Sequence, residues 1–123
     1  MTTTEKKPKI LLIDDDENLS QVLKDGLEAR GFEVRTENDG RRALETVREF
    51  RPDLIVLDVV MPGTDGSEVA QDIRGHADVR DIPILFLSSL VSKTKTGKAS
   101  PYLAKPISIL DLAKRIEERL STP

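Results

Sequence analysis

The chain has no cysteine and no tryptophan, and only one histidine and one tyrosine in 123 residues. Without thiols there is no disulfide, no thiolate metal site and no cysteine nucleophile. One histidine excludes zinc or iron centres built from several imidazoles. No apolar run approaches the roughly 20 residues of a membrane-spanning helix. The opening MTTTEKKPK lacks the apolar stretch of a secretory signal. Together these absences predict a cytoplasmic address and no membrane insertion.

Charge, by contrast, is plentiful: 33% of residues are charged, for a net charge of −3. It is unevenly spread. Residues 91–123 hold seven basic and three acidic side chains, a balance of +4, so the first ninety residues carry −7. An acidic body of this kind disfavours direct nucleic-acid binding, which calls for a basic surface. The length suits one domain with a core of its own. We read residues 1–8 as a flexible tail and 9–121 as that single domain, with no effector domain beside it. On that reading the chain is a stand-alone module or a fragment of a longer protein.

Apolar runs alternate with helical patterns. ILLI at 10–13, LIVL at 54–57 and ILFL at 84–87 are too short for helices and read as strands buried on both faces. A more polar strand is expected at 32–36 and a short one at 102–104. Leu19, Val22, Leu23 and Leu27 share one face of a first helix, which Gly31 stops and Asp16 caps. Asp39 is placed to cap a second helix bearing Ala43, Leu44, Val47 and Phe50. Pro62 and Gly63 turn the chain, and Asp65 with Glu68 opens a third helix in capping-box fashion. Ile109, Leu112, Ala113, Ile116 and Leu120 line the last one. Alternating β and α segments with non-alternating strands predict an α/β fold, a parallel sheet with helices on both faces.

In such sheets the functional crevice lies at the carboxyl ends of the strands. Asp14, Asp15 and Asp16 follow the first strand, Asp58 the third, Ser88 and Ser89 the fourth, and Lys105 the fifth. If the first and third strands are neighbours, Asp14, Asp15 and Asp58 converge. Like charges at about 4 Å repel by roughly 4 kcal/mol at an effective dielectric near 20. A hard divalent cation taking oxygen ligands would relieve that repulsion. A cation, a lysine and a hydroxyl around one carboxylate suit phosphoryl transfer, which depends on positioning and charge neutralisation. Asp58 is then a candidate nucleophile forming an acyl phosphate.

The segments ILLIDDDENL, IVLDVVMPGTDG, IPILFLSS and YLAKP, in that order, resemble the signature segments of response-regulator receiver domains from two-component signalling. The resemblance implies a doubly wound, flavodoxin-like sheet of five parallel strands in the order 2-1-3-4-5. It implies phosphorylation of Asp58 by a sensor histidine kinase or histidine phosphotransfer protein. It also implies a Mg²⁺ (or Mn²⁺) site made by Asp15, Asp58 and the Val60 carbonyl, with Asp14 acting mainly through a metal-bound water. Ser88 and Lys105 would grip the phosphoryl group, with Ser88 and Tyr102 as switch residues and a cis bond before Pro106. Such a module is not an enzyme beyond its own phosphorylation and dephosphorylation.

Two departures from the pattern stand out. Ser89 replaces the usual small residue, and Ser88 and Lys105 are only seventeen positions apart. The shortfall falls on the fourth helix, which is expected to be shortened or missing: SKTKTGKASP in its place has no apolar face, carries Gly97 and Pro101, and favours a basic loop. Gly97-Lys98 does not make a phosphate-binding loop, because Ser92 stands where its first glycine is needed and Ala99 where a hydroxyl belongs. Two rival functions remain. One is an interaction module signalling without phosphorylation; the other, a Mg²⁺-dependent phosphohydrolase, lacks an acid two positions after Asp58, where Val60 stands.

Overall fold

A computed structural model describes residues 7–61, 63–88, 101–105 and 107–121. Five strands form one parallel sheet: β1 (Lys9–Ile13), β2 (Glu33–Glu37), β3 (Leu54–Asp58), β6 (Ile84–Ser88) and β7 (Tyr102–Ala104). Their spatial order is β2-β1-β3-β6-β7, which is 2-1-3-4-5 counted along this sheet alone. Two-residue strands β4 (Val60–Met61) and β5 (Thr64–Asp65) make a small antiparallel hairpin between β3 and the following helix. Helices α1 (Glu17–Glu28), α2 (Ala43–Phe50), α3 (Gly66–Arg74) and α4 (Ile109–Ser121) complete the described residues. Among those residues no helix is long and apolar enough to cross a membrane.

The central strands are apolar throughout because both faces are covered. Ile10, Leu12, Leu54, Val56, Leu85 and Leu87 pack with Leu23 and Leu27 of α1 and Leu112, Ala113 and Ile116 of α4. Leu11, Ile13, Ile55, Leu57, Ile84 and Phe86 face the other way, toward Val47 and Phe50 of α2 and Val69, Ala70 and Ile73 of α3. Successive residues thus alternate between two cores, as the pleat requires. Each fully buried Leu or Ile contributes about 1.5–3 kcal/mol.

Three expectations change in detail. Val22 is 60% exposed. The buried stripe of α1 is Ser20, Leu23 and Leu27, and at about 100° per residue Val22 falls roughly a third of a turn outside it. Asp39 caps a 3₁₀ turn, Gly40–Arg42, by accepting from the Arg41 N–H, and α2 begins only at Ala43. The second strand runs one residue later than expected, its register set by Lys9 opposite Glu33 and Ile13 opposite Glu37. Asp16 and Asp65 do cap α1 and α3, accepting from the Leu19 and Ser67 N–H groups. Pro62, Ser89, the 92–100 segment, Pro106 and most of the 1–8 tail lie outside the described residues.

Candidate functional site

The carboxyl edge of the sheet gathers the predicted acids. Asp14 follows β1 directly, and its N–H extends the ladder by donating to the Glu37 carbonyl at 3.1 Å. Asp58 closes β3, the strand beside β1. Both are buried, at 3% and 4% exposure, whereas Asp15 is exposed. One carboxylate oxygen from each of Asp14, Asp15 and Asp58 lies within 4.8 Å of the other two. Their donor set is all oxygen, which fits a hard divalent cation such as Mg²⁺.

Lys105 reaches into the same place from the end of β7. Its ammonium stands 3.2 Å from Asp14 Oδ2 and 3.3 Å from Asp58 Oδ1. The Asp16 N–H donates to Asp14 Oδ1 at 3.0 Å, and the Val60 N–H to Asp58 Oδ1 at 3.3 Å. Burial raises the Asp58 carboxyl above the ordinary aspartate range, and the charge of Asp14 adds to the rise; Lys105 and the Val60 N–H offset only part of it. Burial also works against the Lys105 charge, but Asp14 and Asp58 outweigh it and hold the ammonium above its usual value.

Ser88 ends β6 one residue past Leu87, the partner of Asp58 across β3 and β6. Its carbonyl accepts from the Lys105 N–H at 3.0 Å, and its register partner is Ala104, so hydroxyl and lysine come from adjoining positions at the ends of neighbouring strands. Tyr102, 42% exposed, opens β7 and stacks on Phe86, with ring centroids 5.1 Å apart. Met61, three residues after Asp58, is buried within the α2–α3 core.

Three residues escaped the sequence reading. Gly66 starts α3 against the main chain of the site, and a methyl there would overlap the Asp58 carbonyl oxygen and lie 2.7 Å from Val59 Cα. The last glycine of PGTDG, just after a strand, was the available signal. Asn38 and Ser20 meet the main chain of Asp14: Asn38 Nδ2 donates to its carbonyl at 2.7 Å and to Ser20 Oγ at 3.2 Å. Nothing in the local sequence marks that contact.

The family model described as "Response regulator receiver domain" matches residues 10–117. Among curated relatives, the response regulator MprA of Mycobacterium leprae (strain TN) is 41% identical over 117 residues, covering 91% of this chain and 50% of the relative. The transcriptional regulatory protein PrrA of the same organism is 38% identical over 126 residues, covering 98% of this chain and 53% of the relative. The chain thus spans about half the length of the curated relatives it matches. Among solved structures, the Francisella response regulator 1452 receiver domain superposes with a TM-score of 0.79 at 30% identity, covering 93% of this chain and 97% of that one. The chemotaxis protein CheY4 of Vibrio cholerae gives 0.78 at 33% identity, covering 90% and 97%. A family-model match running across all five strands, and solved structures that superpose over about nine-tenths of the chain, make this chain a member of the response regulator receiver domain family, the phospho-accepting module of two-component signalling.

Proposed function

We propose that Asp58 accepts the phosphoryl group, with Mg²⁺ or Mn²⁺ held beside it by Asp14, Asp15, Asp58 and the Val60 carbonyl. The observation that carries this reading is the position of the Lys105 ammonium, within 3.3 Å of both buried carboxylates. It supplies fixed positive charge where a phosphoryl group on Asp58 would bring negative charge. The cation, when bound, neutralises charge on the transferring oxygens.

The donor is the phosphohistidine of a sensor histidine kinase or a histidine phosphotransfer protein. The bond between phosphorus and the imidazole nitrogen breaks, and its electron pair stays on that nitrogen. Phosphorus binds an Asp58 carboxylate oxygen instead. With its other nitrogen protonated, the ring leaves as neutral imidazole. Ser88 and Lys105 then hold the phosphoryl oxygens, and the aspartyl phosphate favours the conformation in which both have closed over it. Tyr102, which opens β7, is the side chain through which the closure reaches the surface.

Incubation with acetyl phosphate and Mg²⁺ should produce an acid-labile adduct of one phosphoryl group per chain, resolved by phosphate-affinity electrophoresis. Asp58→Asn should remain unlabelled. Labelling of that variant at the wild-type level would remove Asp58 from the role.

A further inference from the structure

The ladder between β1 and β2 loses a rung next to the site. In this register the Asp14 N–H donates to the Glu37 carbonyl at 3.1 Å. The next rung of a parallel pair would run from the Asp39 N–H to the Asp14 carbonyl. It is not made that way. The Asp39 N–H turns back to Glu37 Oε2 at 3.0 Å, and the Thr46 hydroxyl holds the other oxygen of the same carboxylate. The Asp14 carbonyl belongs to a buried residue and would be left short of a donor. Asn38 Nδ2 fills the place at 2.7 Å, while Ser20 Oγ stands 3.5 Å away.

That carbonyl is part of the peptide unit joining Asp14 to Asp15. Because the unit is planar, its rotation changes ψ of Asp14 and φ of Asp15 together. Whatever grips the oxygen therefore sets the angle between the two carboxylates. We propose that Asn38 is a positioning residue for the divalent-cation site. Its side-chain amide replaces the missing backbone rung and fixes the peptide plane that aims Asp14 and Asp15. Ser20 braces the amide from α1. This inference rests on the reading of Asp14, Asp15 and Asp58 as the cation site.

The test is Mg²⁺ titration of the wild type, Asn38→Leu, Asn38→Ser and Asn38→Gln, followed by calorimetry and by the ¹⁵N–¹H resonance of Asp15. All are measured well below each variant's melting midpoint. Leucine matches the shape of asparagine without a donor, and serine falls short of the carbonyl. Both should bind Mg²⁺ about tenfold more weakly, the usual effect of losing a group that orients a ligand. Both should also shift the Asp15 amide signal before any metal is added. Glutamine keeps the amide and should recover part of the affinity. Serine carries the test if the leucine variant does not fold. Affinities within twofold of wild type with an unmoved Asp15 signal would overturn the inference while leaving the cation site intact. Failure of the wild type itself to bind millimolar Mg²⁺ would remove the cation site and the inference together.

Discussion

Lys105 Nζ lies 3.2 Å from Asp14 Oδ2, an ion pair between residues 91 positions apart in the chain. The pair ties the end of β7 to the end of β1 across the two strands between them. It also screens Asp14 from Asp58. Replacing Lys105 with methionine should destabilise the metal-free protein by about 1–3 kcal/mol, the cost of stranding a buried acceptor. Saturating Mg²⁺ should recover part of that loss, since it brings back positive charge. Melting curves in chelator and in Mg²⁺ check both statements. The lysine is held above its ordinary value, so its contribution persists below the unfolded lysine range and disappears as pH climbs through the raised one. Alkali should therefore narrow the gap between wild type and Lys105→Met.

Asp58→Asn should behave in the opposite sense. The native Asp58 carboxyl binds its proton more tightly than an unfolded aspartate does, through burial first and Asp14 second. Folding thus gains from Asp58 at low pH and loses that gain as pH rises through the elevated value. In chelator at pH 7 the asparagine variant should melt higher than wild type, by about 4 °C for each 1 kcal/mol relieved. The difference should shrink as pH falls toward the ordinary aspartate value of 3.8. Paired melts at neutral and acidic pH decide the matter; a constant difference would mean that charge is not its cause.

Gly66→Ala tests how α3 is seated. The added methyl meets main chain on Asp58 and Val59, which cannot move aside as a side-chain tip could. The Gly66 N–H, bonded to the Val59 carbonyl at 2.8 Å, would be pushed out with it. A loss of about 1–3 kcal/mol is expected, with slower labelling by acetyl phosphate because Asp58 shifts. Chemical denaturation and initial labelling rates measure the two effects separately. Gly63→Ala places its methyl in open space and is the contrasting case. It should lose only the cost of holding alanine at a positive φ of 73°, about 1 kcal/mol.

Much of this was legible because the strands are short apolar runs and the chemistry sits directly after them. Asp14, Asp58, Ser88 and Lys105 each follow or end a strand, so the parallel arrangement alone brings them to one edge. Asn38, Ser20 and Gly66 were hidden for the converse reason. The role of Asn38 exists only because the register of β1 and β2 leaves one carbonyl short, and that register is set by packing across the sheet. Gly66 matters because of how closely α3 approaches β3, a distance that no local pattern encodes. Val22 faces solvent for a related reason: the direction of the buried stripe on α1 depends on where the sheet lies.

The stack of Tyr102 on Phe86 has a practical consequence as well as a structural one. With no tryptophan and a single tyrosine, emission excited beyond the phenylalanine absorption band comes from Tyr102, at the start of the strand that delivers Lys105. This chain therefore carries one such optical probe, already located where a rearrangement around Asp58 would be felt. Phosphorylation by acetyl phosphate and Mg²⁺ should change its intensity and anisotropy in wild type and leave both unchanged in Asp58→Asn. Phe86→Leu, which removes the stacking ring, should lower the starting anisotropy. The kinetics of switching could then be followed without attaching a dye.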